Sequence, residues 1–78
     1  MKLFCVITVA RQVDGEFVFI QTQKAFKQAS QADGLRDQLN KNEYHTPDGK
    51  PKPVFITTPQ GSAQCICLAG AFELEVVE

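Results

Sequence analysis

The sequence predicts an α+β fold: a two-layer sandwich in which a mostly antiparallel sheet of four to five strands carries one helix, in the order β-β-α-β-β-β. Three observations lead there. Residues 3–22 read as two apolar runs hinged at Asp14-Gly15, among the strongest short-range hairpin signals. Ala32, Leu35 and Leu39 then recur at helical spacing, with polar residues between them. The second half returns to strand-like alternation at residues 54–58 and 72–76.

With Asp14 and Gly15 as a two-residue loop, Arg11 faces Val18, Val9 faces Ile20 and Ile7 faces Thr22. The type I′ turn this implies needs φ > 0 at both loop residues. One face of the hairpin then carries Leu3, Cys5, Ile7, Val9, Val18 and Ile20, and the other Phe4, Val6, Ala10, Phe17 and Phe19. A half-exposed antiparallel hairpin would be polar on one side, so both faces call for cover. A one-residue slip only exchanges two apolar faces, so the inference does not depend on register.

Ser30-Gln31-Ala32-Asp33 has the Ser-x-x-acid form of a helix start, with Ser30 as N-cap, and the spacing predicts a helix over residues 31–41. Gly34 inside it costs on the order of 1 kcal/mol relative to Ala, unless it permits close approach to the sheet. Residues 42–53, NEYHTPDGKPKP, form a surface loop: Pro47-Asp48-Gly49 is a turn, and Pro47, Pro51 and Pro53 exclude helix. Pro59-Gln60-Gly61 stops the strand at 54–58. Residues 62–70 read either as a strand, with Ala63, Cys65, Cys67 and Ala69 on one face, or as a short helix between Ser62 and Gly70; consecutive apolar residues favour the strand. At the end, Phe72, Leu74 and Val76 alternate with Glu73 and Glu75, whose acids belong in water.

At 78 residues the chain reads as one small domain, 1–78, near the size at which a core supplies only about 3–5 kcal/mol. Its net charge of −1 gives no basis for nonspecific attraction to nucleic acid or anionic lipid. No apolar run approaches the roughly 20 residues that span a bilayer, and the opening residues read as a strand rather than a leader, since no small-residue cleavage site follows them. Three cysteines without disulfide-scaffold spacing favour a reducing, cytoplasmic setting.

The chemistry-bearing residues are few. Cys5, Cys65, Cys67 and His45 are the only soft ligands, but zinc sites space paired ligands by two to four residues, and Cys65-x-Cys67 has one between. On a strand the two would lie roughly 6.6 Å apart at Cα, near the limit for a disulfide. The thiols therefore read as small buried hydrophobes, with no metal and no cofactor. His45 has no neighbouring nucleophile, Asp33 and Asp37 read as a solvated face beside Arg36 and Lys41, and no phosphate-cradling glycine motif occurs. No catalytic residue is assigned, and the chain is not expected to be an enzyme. Tyr44, His45, Lys50 and Lys52 make the loop the candidate binding surface for a protein partner. Nucleic-acid binding by the same lysines around Tyr44, and a small-ligand or thiol site, are the alternatives. Because one helix covers one sheet face, the other should pair with a second copy, with Phe4, Phe17 and Phe19 at the homodimer interface; the alternative is that the sheet curls into a partial barrel and hides that face within one chain. The function expected is that of a binding or regulatory module acting through protein contacts.

Overall fold

A computed structural model describes residues 1–77. Strands β1 (Lys2–Gln12) and β2 (Val18–Phe26) precede helix α1 (Ala29–Gln38), which runs into a π-helical turn, Leu39–Glu43; β3 (Val54–Thr58) and β4 (Gly61–Glu75) follow. The four strands form one antiparallel sheet in the order β2-β1-β4-β3, curled into a half-barrel with the single helix against it. The mixed α+β class is as the sequence predicts. The element order differs from β-β-α-β-β-β, with four strands in place of five, because the strands expected over residues 62–70 and 72–76 belong to one continuous strand: Gly70 pairs with Ile7 in the β1 ladder without breaking it.

The opening hairpin has the predicted register, with Arg11 opposite Val18, Val9 opposite Ile20 and Ile7 opposite Thr22. Its turn does not have the predicted backbone. Among the described residues only Gly49 and Gly61 have positive φ, so Asp14-Gly15 is not a type I′ turn. The connection is a four-residue loop, closed by the Gln12 N–H on the Phe17 carbonyl at 3.0 Å and drawn toward β4 by the Val13 N–H on the Gln64 carbonyl at 2.9 Å. Further along, Ile7 pairs with Thr22 but Val6 with Lys24, leaving Gln23 as the extra residue of a β-bulge. Its amide turns to Thr8, donating to Oγ1 at 3.0 Å.

The helix begins earlier than predicted. Only Lys27 and Gln28 separate β2 from α1, so the chain must turn at once, and Gln28 takes the N-cap position through its backbone, with no side-chain cap; its carbonyl accepts from Gln31 and Ala32. Ser30 falls inside the first turn. Gly34 is exposed and nothing lies within 4 Å of where its Cβ would be, so it serves no close approach. Gly34→Ala is therefore expected to raise stability by about 0.5–1 kcal/mol in a urea melt; a loss of stability would show that the position has contacts the structure lacks.

The helix lies across β1, β2 and β4 and decides which sheet face is core. Alternation places Val6, Thr8 and Ala10 of β1 and Cys65, Cys67 and Ala69 of β4 beneath it, all buried. Ala32 and Tyr44 complete this cluster, with Phe4, Phe19, Phe26, Leu35 and Leu39 packed around it. The largest fully buried side chains are only Val6, Thr8, Cys65 and Cys67. Small residues let the helix approach the sheet closely, and a thin core is the result.

Candidate functional site

The soft ligands do not converge. Cys65 and Cys67 lie under the helix, whereas Cys5, three residues from Thr8 in the alternation, points to the opposite sheet face; all three are free and buried. Among the described residues no group of three or more His, Cys, Asp or Glu could hold a metal ion. Burial pushes the Cys67 thiol up from its ordinary 9.0, and the neighbouring Cys65 adds to the effect. A folded-state value above the unfolded one means that this stabilisation is complete below the ordinary 9.0 and is lost as pH rises through the folded value. Two results are expected: an aromatic disulfide reagent labels the folded chain slowly at neutral pH and quickly once urea unfolds it, and stability declines on the alkaline side. Rapid labelling of Cys65 or Cys67 in the folded chain would contradict the arrangement.

Arg36 holds both helix carboxylates, with Nη1 3.2 Å from Asp33 and Nε 3.0 Å from Asp37. The two acids therefore form part of a solvated, charge-balanced surface.

The loop is a miniature hairpin with its own bonds. Thr46 N–H donates to the Lys50 carbonyl at 2.8 Å, Gly49 N–H to the Thr46 carbonyl at 2.8 Å and Lys52 N–H to the Tyr44 carbonyl at 2.9 Å, and His45 bridges to Pro51. Pro47 fits the turn's first corner, and Gly49, at φ 84°, its left-handed position. The expected surface group separates here. Lys50 and Lys52 are exposed, His45 is half-buried with Nδ1–H donating to the Asn40 carbonyl at 2.7 Å, but Tyr44 is only 7% exposed. The π turn is the reason. Its wider winding, marked by the Tyr44 N–H on the Leu39 carbonyl at 2.9 Å, swings the ring under the helix end, where its hydroxyl meets Thr8 Oγ1 at 2.8 Å. The loop thus offers cations without a stacking ring. Between it and the helix end is an open groove of about 740 Å³ lined by Asp37, Asn40, Lys41, Asn42, His45 and Thr46 among others.

Asn40 joins this region to the sheet. Its carboxamide donates to the Ala69 carbonyl at 3.0 Å and accepts from the Ala69 N–H at 2.7 Å, doing for β4 what a neighbouring strand would do. β3 ends its pairing at Cys65, so Asn40 protects an edge that would otherwise be open.

The residues expected at a dimer interface also separate. Phe4 and Phe19 are partly buried against the core on the helix side. Phe17 is 69% exposed, with its ring centroid 6.4 Å from that of Phe19. The face left without a helix is the opposite one. Register places Val9 beside Ile20 and Leu68, Cys5 beside Phe72, and Leu3 beside Leu74, with Phe55 on the outer strand opposite Gln64. Ile20 is 69% exposed, Leu68 58% and Phe55 76%. Sequence reasoning recognised two apolar faces but named the phenylalanines of the covered one. The overlooked signal was the run of small residues Ala10, Cys65, Cys67 and Ala69, which marks the face a helix approaches even though Phe4 and Phe19 pack around it.

Among the described residues no helix is long and apolar enough to cross a membrane. Comparison with known proteins returns no match to any family, any curated protein or any solved structure.

Proposed function

We propose that the chain is a small non-enzymatic binding module that acts through protein contacts, and that the helix-free face of its sheet is the surface that makes them. One observation carries the reading: Ile20, Phe55, Leu68 and Phe72 stand on that face in solvent, while the largest fully buried side chains beneath the helix are only Val6, Thr8, Cys65 and Cys67. Soluble chains rarely leave a contiguous apolar patch beyond several hundred Å² without a partner for it. In this reading helix and sheet are the two layers of a sandwich, one face finished within the chain and the other completed by association.

A photo-crosslinking residue at position 68 is expected to form protein adducts in cells, while the same residue at position 33, on the outer side of α1, forms few. Adducts only from position 33, or nucleic-acid adducts from positions 50 and 52, would count against the proposal.

A further inference from the structure

We infer that the occupant of the helix-free face is a second copy of this chain, paired face to face about a two-fold axis; the inference rests on that face being a protein-contact surface. Three observations point to a like partner.

The first is area. The chain exposes 5570 Å², whereas a compact monomer of 8.6 kDa exposes about 4,700 Å². The excess is close to the roughly 800 Å² that each partner buries in a standard interface. Shape explains it: the chain is a slab of 41 × 31 × 15 Å with a radius of gyration of 13.7 Å, against about 11.5 Å for a compact fold of this length. A second slab on the open face corrects the thin dimension.

The second is charge. Across β1 and β4, Arg11 is the only charged residue that alternation places on this face. A strongly charged partner would lose hydration there without finding opposite charges, whereas a second copy of this face brings only its own Arg11.

The third is relief. Leu68, Gly70 and Phe72 share this face, and Gly70 sits opposite Ile7 in the ladder. Nothing lies within 4 Å of where a Gly70 Cβ would be, and its φ is not positive. The same patch therefore carries a hollow at Gly70 and exposed side chains, Leu68 and Phe72, on either side of it along β4. An isologous interface needs both on one surface, because each copy must supply the projection that fills the other's recess.

Sedimentation equilibrium tests this. Wild type is expected at twice the 8.6 kDa chain mass, and Ile20→Lys and Leu68→Lys at the single-chain mass with unchanged far-UV circular dichroism, since both side chains are outside the core. Gly70→Val suits a strand and its Cβ meets nothing within 4 Å in its own chain, so it should fold while weakening the dimer at least about tenfold, a change near 1.4 kcal/mol. A dimer unaffected by all three variants would overturn the inference by placing the interface elsewhere. Wild type that stays at the single-chain mass at high micromolar concentration would also overturn it. In that event, an apolar dye that binds wild type but not Leu68→Lys leaves the contact surface standing with a different partner, and a dye that binds neither removes both.

Discussion

Tyr44→Ala is expected to leave the chain largely unfolded at room temperature. The ring belongs to the buried cluster with Val6, Ala10, Ala32, Cys65, Cys67 and Ala69, and removing a buried aromatic side chain costs about 3–5 kcal/mol. A chain of this size has roughly that much stability in total. Its hydroxyl matters less, since Thr8, fully buried, keeps the Gln23 amide as a partner when Tyr44 is withdrawn. Tyr44→Phe should therefore cost only about 1 kcal/mol. Urea melts of the two variants separate packing from hydrogen bonding. Wild-type stability in Tyr44→Ala would mean the ring is on the loop surface, where the sequence alone puts it.

Asn40→Ala is expected to cost about 2 kcal/mol, because it strands the N–H and carbonyl of Ala69, a residue only 4% exposed, at an edge no strand covers. Asn40→Asp is the informative comparison. A carboxylate can still accept from the Ala69 N–H but cannot donate to its carbonyl, so its stability should match or fall below that of Asn40→Ala if the donated bond matters. Hydrogen exchange at the Ala69 amide reads the effect locally: exchange should accelerate strongly in Asn40→Ala. An unchanged rate would mean that Asn40 does not protect the edge.

Local pattern carried much of this fold. The Asp-Gly hinge was enough to set Arg11 against Val18 and Ile7 against Thr22, because two-residue and four-residue loops centred on Asp14-Gly15 give the same pairs. The bulge at Gln23 was invisible, since an extra polar residue on an edge strand leaves no mark in an apolar pattern. Gly70 read as a boundary because glycine punctuates strands, yet here it continues one. The π turn has no sequence signature, and Tyr44 was misplaced with it: a residue surrounded by Asn, Glu, His, Thr and Pro looks solvated until the winding of the preceding turn is known. Which face the helix covers depends on tertiary packing between two apolar alternatives, and only the bias toward Ala and Cys at one of them distinguishes the two.

Covering the open face should also stabilise the fold, because the chain has few large side chains in its own core. This ties function to a bulk observable. For a dimer that unfolds to two chains, the thermal midpoint rises with concentration, by about 4–5 °C for each tenfold increase at this chain length. A dilution series of wild type followed by circular dichroism is expected to show that dependence, and Leu68→Lys is expected to abolish it. A wild-type midpoint independent of concentration would contradict pairing through the helix-free face.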